Sequence, residues 1–344
     1  MKMYPEKSLR SMCLLSLLTA FLFSLCCCAA PAAAQGVRDP AYTPIRVITH
    51  NKVRYVNLQD VAKHYGLKLR ILKEGPILYS QSQRVVFLNG KRSGAINNIA
   101  VTFYQPPLYK NGNHYISELD HVKLLYPILA PKLPYKRVLR VMIDAGHGGK
   151  DRGAAGPAQH EKVITLQIAK KLEKALKSYG FEVIMTRTWD KDLSLEERAA
   201  LCEKYKPDLF ISIHCNSVEN KSVTGIETWY IGAQGGASAH GEKVKNEKDK
   251  GNNFDPYNVR IAYEIQKGMM KQFPSSSDRG VKPSRFYVLR HASCPSLLME
   301  VGFLSNNREG KSLATAATQD KIVKAIIDGM IGYTTALRRT KAAR

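Results

Sequence analysis

From residue 139 onward, short apolar runs with the length of buried strands alternate with segments whose apolar residues recur every three or four positions. That alternation restricts the chain to an α/β class, a mixed, mostly parallel sheet flanked by helices. Residues 139–144, 181–186, 209–213, 226–231 and 296–301 read as strands. Residues 161–179, 195–205, 257–272 and 320–336 read as helices. In the first of these, Ile164, Ile168, Leu172, Ala175 and Tyr179 share one face, and Gly180 follows in the usual C-terminal stop position. The polar, Gly- and Lys-rich stretch 232–253 reads as a mobile surface loop.

A break falls at Ala130-Pro131-Lys132-Leu133-Pro134, where two prolines flank a short stretch. It divides a small α+β accessory domain, 37–130, from the larger domain, 137–338. The smaller part has strand-like Arg46-Val47-Ile48 and Tyr55-Val56, a short helix over 60–65 ending at Gly66, and a strand over 84–88 leading into an Asn89-Gly90 turn. Asn51-Lys52-Val53-Arg54-Tyr55-Val56 followed by Asp60-Val61 is echoed by Asn111-Gly112-Asn113-His114-Tyr115-Ile116 followed by Asp120-His121-Val122. A duplicated turn, strand and short helix accounts for the echo.

Residues 1–34 read as a signal peptide. Lys2, Lys7 and Arg10 precede an apolar run over 12–30, and Ala32-Ala33-Ala34 offers a small-residue cleavage site before Gln35. The run approaches membrane-spanning length, so an uncleaved anchor is the alternative. The residues ahead of Cys26-Cys27-Cys28 lack the small side chains of a lipidation signal. Past residue 34 no apolar run is long enough to span a bilayer, and the leader predicts an exported chain in a periplasm or cell envelope. Only Cys202, Cys215 and Cys294 lie beyond the signal, too few for a disulfide framework. The net charge of +23 suits an anionic surrounding. No Arg-rich stripe with interleaved aromatics is present, and nucleic acid is not an expected partner.

Ionisable residues sit at three strand ends, where open α/β sheets place their ligands. The first is Asp144-Ala145-Gly146-His147-Gly148-Gly149, whose glycines let the backbone turn sharply; the second is Ser212-Ile213-His214-Cys215-Asn216. The third is Leu297-Leu298-Met299-Glu300-Val301, and Glu161 opens a helix between the first two. A phosphate loop is the rival for 146–149, but no Walker Lys-Ser/Thr follows and G-x-G-x-x-G does not fit. A carboxylate inside Leu-Leu-Met-Glu-Val-Gly-Phe-Leu is costly to bury unpaired, so Glu300 calls for a chemical use. Two histidines and one carboxylate form the ligand set of a hydrolytic zinc site, and a second carboxylate can carry protons.

Those segments, with His160-Glu161-Lys162, Met185-Thr186-Arg187, Asp278-Arg279-Gly280-Val281 and Leu298-Met299-Glu300-Val301-Gly302-Phe303-Leu304-Ser305-Asn306, resemble the zinc-dependent N-acetylmuramoyl-L-alanine amidases in order and spacing. The resemblance spans about 137–336. It implies the zinc amidase fold, with Zn2+ bound by His147, Glu161 and His214 and Glu300 as the catalytic carboxylate. It also implies peptidoglycan as substrate, cleaved between N-acetylmuramoyl residues and L-alanine, with an envelope activator protein as a further candidate partner. Asn216 and Arg279 are candidate substrate-positioning groups. Ala145 stands where the family usually has Pro, and Cys215 where it usually has Ala, and neither change removes a ligand. Members of the family held inactive carry a long helical insertion over the zinc, and 232–253 is too short and polar to be one. The accessory part is similar to the small domain at the N-terminus of copper amine oxidases, which implies a binding or spacing module and no copper here.

Two rivals remain at this level. Another zinc peptidase of carboxypeptidase type needs an H-x-x-E pair, which neither His147 nor His214 supplies. A non-catalytic wall-binding or activator protein on an amidase scaffold would have lost one of the four chemical residues, and all four are present.

Overall fold

The computed structural model describes residues 44–129, 133–134, 136–241 and 244–342, so the signal assigned to 1–34 lies outside the described residues. Residues 42–344 cluster as one compact unit. The chain opens with β1 (Val47–His50), β2 (Val53–Asn57) and α1 (Leu58–His64). The Asn57 side chain caps α1 by accepting the N–H groups of Gln59 and Asp60. A meander follows: β3 (Lys68–Ile71), β4 (Pro76–Tyr79), β5 (Arg84–Phe87), β6 (Ser93–Ile96) and β7 (Ile99–Thr102). Then come β8 (Leu108–Lys110), β9 (Asn113–Ser117), α2 (Glu118–Asp120), a π-helical turn (His121–Leu125) and α3 (Tyr126–Leu129). The repeated sequence forms repeated structure: Asn51-Lys52 and Asn111-Gly112 both turn through positive φ, and β2 pairs antiparallel with β9.

The larger part begins with β10 (Arg140–Ala145), α4 (Glu161–Ser178), β11 (Glu182–Met185), α5 (Leu195–Tyr205), β12 (Leu209–Asn216) and β13 (Ile226–Ile231). It continues with α6 (Asp255–Gln272), β14 (Asp278–Ser284), α7 (Tyr287–His291), β15 (Ser296–Phe303), α8 (Asn307–Leu313) and α9 (Ala316–Ala342). A Ser194–Glu197 capping box starts α5 at the predicted residue. The strand β14 and the helix α7 were not anticipated: Asp278-Arg279-Gly280 and the Pro283 break hide the strand pattern.

The strand order is β11-β10-β12-β15-β13-β14-β7-β6-β5-β4-β3. The pairs β11–β10, β10–β12, β12–β15 and β13–β14 are parallel, and β15–β13 is antiparallel. Over β10–β15 this is the expected mixed, mostly parallel sheet, whereas β3–β7 pair antiparallel throughout. Side chains alternate across it. Val141, Ile143, Ile211, Ile213, Leu297 and Met299 join the larger core, against which α4, α6 and α9 pack. Met142, Phe210 and Leu298 face a smaller core, closed by α5 and α7. By the same alternation, Asp144, His214 and Glu300 lie on the α5/α7 face, at the carboxyl ends of β10, β12 and β15.

The sheet does not stop at the Pro-rich break. β7 pairs parallel with β14, Val101 opposite Val281, so the accessory meander extends the catalytic sheet. The Ala100 N–H donates to Asp278 Oδ2 (2.8 Å), and Gly280, at φ +84°, lets the Ala100 carbonyl approach where a Cβ would lie 2.5 Å away. Tyr263 donates to the Ile96 carbonyl (3.1 Å), and Lys123 pairs with Asp255 (2.9 Å). The segment expected to be a mobile loop is tied into the same seam. Arg92 donates to the carbonyls of Ala237 and Ser238, Arg285 to those of Ala233 and Gly236, and Tyr104 Oη accepts the Ala233 N–H. Its polar backbone finds partners in Arg side chains distant in sequence, which local composition does not reveal.

Candidate metal centre and active site

β10 delivers the chain to a loop in which His147, Gly148 and Gly149 all have positive φ, at 60°, 138° and 59°. Such a run carries the imidazole of His147 away from the strand and toward β12. Gly146 is needed for another reason. A Cβ there would lie 2.4–2.6 Å from three atoms of the His214 ring. Two buried guanidiniums hold the loop from beneath. Arg187 donates to the carbonyls of Ala145 (2.9 Å), Gly146 (2.8 Å) and Lys162 (2.8 Å). Arg198, on α5, donates to the carbonyls of Ala145 (2.9 Å) and His147 (2.8 Å) and pairs with Asp144. Burial pushes the Asp144 carboxyl up, but Arg198, His214 and the Ser212 and Thr186 hydroxyls outweigh it and hold the group below the usual carboxylate range.

Glu161, the first residue of α4, is 4 % exposed and lies between the two imidazoles. Its Oε2 is 3.1 Å from His147 Nε2 and accepts the Ala154 N–H (2.9 Å). Its Oε1 is 3.0 Å from His214 Nδ1 and accepts the Cys215 N–H (2.9 Å). Burial would raise this carboxyl; the two histidines overcome that and hold it far below its ordinary range. Burial likewise pulls His147 down, and Glu161 and Asp151 more than restore it. His147 Nδ1 lies 2.7 Å from Asp151 Oδ2, an arrangement that fixes the ring and leaves Nε2 facing Glu161 and His214.

One ligand atom from each of His147, Glu161 and His214 falls within 4.8 Å of the others, so the residues present suit a metal ion with nitrogen and oxygen ligands. Glu300 completes the group. It stands opposite His214 in the β12–β15 register and opposite Glu227 in the β15–β13 register. Its Oε2 is buried without a hydrogen-bond partner. Burial, then the nearby Glu161 and Glu227 charges, push its carboxyl well up. His147, His214 and Glu300 open onto a cleft of about 500 Å³, walled by Asp151, Asp192, Leu193, Leu195 and residues Phe286, Tyr287 and Val288.

Asn216 and Arg279 come together, but not in the wall of this cleft. Both bind Glu227: Asn216 Nδ2 at Oε1 (2.8 Å) and Arg279 Nε at Oε2 (3.0 Å), with Lys282 Nζ also on Oε2 (2.6 Å). The Arg279 guanidinium lies over the Phe303 ring, 4.9 Å from its centroid. Glu227 was overlooked in the sequence although it carries the signal that singled out Glu300, a carboxylate within an apolar strand. Arg198 and Asp151 were overlooked as well, since a charged residue on a helix or in a loop reads as solvated.

Residues 141–332, which include His147, Glu161, His214 and Glu300, match the family model described as N-acetylmuramoyl-L-alanine amidase. The Bacillus subtilis (strain 168) protein YqiI is 36% identical over 193 residues, covering 56% of this chain and 84% of its own length. The N-acetylmuramoyl-L-alanine amidase LytC of the same organism is 33% identical over 193 residues, covering 56% of this chain and 35% of LytC. Among solved structures, the catalytic domain of CwlV, an N-acetylmuramoyl-L-alanine amidase from Bacillus (Paenibacillus) polymyxa, is 31% identical with a TM-score of 0.48, covering 58% of this chain and 99% of that one. With a family match across more than half of its length that runs through all four chemical residues, the chain belongs to the N-acetylmuramoyl-L-alanine amidase family.

Proposed function

We propose that this protein is a zinc-dependent peptidoglycan hydrolase that cleaves the amide between N-acetylmuramoyl residues and the L-alanine of the stem peptide. The observation that carries the reading is the convergence of His147, Glu161 and His214 on one point beside a partnerless carboxylate oxygen of Glu300. His147, Glu161 and His214 would hold the ion. A zinc ion bound there supplies a Lewis acid for the amide carbonyl and lowers the pKa of a bound water to about 7.

The chain's own residues do the rest. Glu300 accepts a proton from the water that adds to the amide carbon and returns it to nitrogen as the C–N bond breaks, freeing the L-alanine amine. Its raised affinity for protons suits a group that must take up the water proton and hold it until the nitrogen leaves. Asp151 orients His147, and Arg187 and Arg198 hold the loop that presents it. Arg279 and Asn216 are proposed to position substrate from the Glu227 cluster, where the guanidinium is part-exposed. Residues 37–130 are proposed as an accessory module of the copper amine oxidase N-terminal-like kind, a reading supported by the repeated turn, strand and helix. Export to the envelope, with peptidoglycan as substrate and an activator protein there as partner, is supported by the basic start and apolar run of residues 1–34.

Digestion of purified peptidoglycan, followed by mass spectrometry of the products, tests the reading. Free L-alanine amino termini on intact glycan strands are expected. New D-alanine termini or new sugar reducing ends would assign another class of hydrolase, and no products from zinc-loaded protein would point to a non-catalytic scaffold.

A further inference from the structure

The smaller core, on the face of the sheet that carries the active site, contains two cysteines that the proposed reaction does not use. Cys202 lies on α5 and Cys294 in the turn before β15, 92 residues apart, and their Sγ atoms are 3.8 Å apart. Both side chains are buried, at 1 % and 0 % exposure. Ser293 seats the pair: its hydroxyl donates to the Cys202 carbonyl (3.0 Å) and lies 3.5 Å from Cys202 Sγ. Cys215 belongs to the larger core on the opposite side of the sheet and is not placed to compete for either thiol.

We propose that Cys202 and Cys294 close into a disulfide when the chain folds in an oxidising environment, stapling α5 to the start of β15. A disulfide holds its sulfurs about 2.05 Å apart, so closing the bond needs only the approach of two side chains already in contact. The step starts from the Cys202 thiolate, formed by loss of the thiol proton while the chain is still open. That thiolate attacks one sulfur of a small disulfide oxidant such as oxidised glutathione, forming a mixed disulfide and expelling one glutathione thiolate. The Cys294 thiolate then attacks the Cys202 sulfur and expels the second. Two protein thiols lose two protons and two electrons, and one oxidised glutathione becomes two reduced ones. Because both sulfurs are buried in the folded protein, the exchange belongs to folding, before α5 seals the core.

The bond would connect the two halves of the active site. Arg198, one turn before Cys202 on α5, holds the His147 loop, and Glu300 lies six residues beyond Cys294 on β15. A cross-link closing so long a loop raises stability chiefly by restricting the unfolded chain.

The full chain is refolded with oxidised and reduced glutathione, alkylated, digested with trypsin without reduction and mapped by mass spectrometry. The expected product joins the peptides 199–204 and 291–308, two hydrogen masses lighter than their sum. The linked protein should melt roughly 5–10 °C above the same protein kept reduced. Cys202→Ser should abolish both the linked peptide and the redox-dependent shift, and Cys215→Ser should leave both in place. Recovery of Cys202 and Cys294 as alkylated thiols after oxidative refolding, or a linkage of either to any other cysteine, would overturn the proposal. The mapping needs no variant, so a substitution that fails to fold does not blunt the test, and an in vitro oxidant keeps it separate from the question of export.

Discussion

Glu161 engages two imidazoles and two backbone N–H groups at once, while Glu300 leaves an oxygen with no partner. The two carboxylates are thereby driven in opposite directions, one kept ionised and one made avid for protons, as the proposed roles of ligand and acid–base group require. Glu300→Gln preserves shape and removes the proton carrier. Activity on peptidoglycan should fall by roughly 10²–10⁴-fold. Zinc content, read by atomic emission, should stay at one ion per chain, and near-normal turnover would exclude the assigned role. Gly146→Ala acts on the other partner. Its Cβ would overlap the His214 ring, so zinc should be lost or bound far more weakly, with the same assay as the check.

Between elements, the Asp144–Arg198 pair joins the end of β10 to α5 beneath the His147 loop. Removing one partner of a buried pair leaves the other charge uncompensated, so Asp144→Asn should destabilise the protein by about 3–5 kcal/mol in urea titration. The pH dependence follows from the sign of the shift. Asp144 has a folded-state pKa below its ordinary value, so its stabilising contribution is complete above about pH 4 and is lost as pH falls through the folded value. Stability of the metal-free protein should therefore drop below about pH 4, with a shallower acid limb in the Asn variant. An unchanged limb would mean that Asp144 is not the group being titrated.

At the scale of the whole molecule, the accessory meander and the catalytic strands share one sheet, tied by hydrogen bonds from Arg92, Tyr104 and Tyr263. Heating should therefore give one calorimetric transition, whereas two resolved transitions would show that the parts unfold independently. Gly280→Ala places a Cβ against the Ala100 carbonyl at a φ that favours glycine, and should lower that single melting temperature without changing zinc content.

What the sequence alone determined was local in origin. Periodicity located α4, α5, α6 and β13, α5 and β13 with their observed ends, because an element's own residues carry its hydrophobic face. The four chemical residues were legible because strand ends, glycines and a carboxylate in an apolar strand mark them. Tertiary structure decided which strands are neighbours. The pairing of Val101 with Val281, the stacking of Glu227 beside Glu300 and the approach of Cys202 to Cys294 each join residues far apart in the chain. Local periodicity states which face of an element is buried, but its partner is selected by packing of the complete sheet. For that reason the residues that converge at the candidate metal site could be named from the sequence, while the cluster that holds Arg279 and Asn216 and the seam that makes the described residues one body could not.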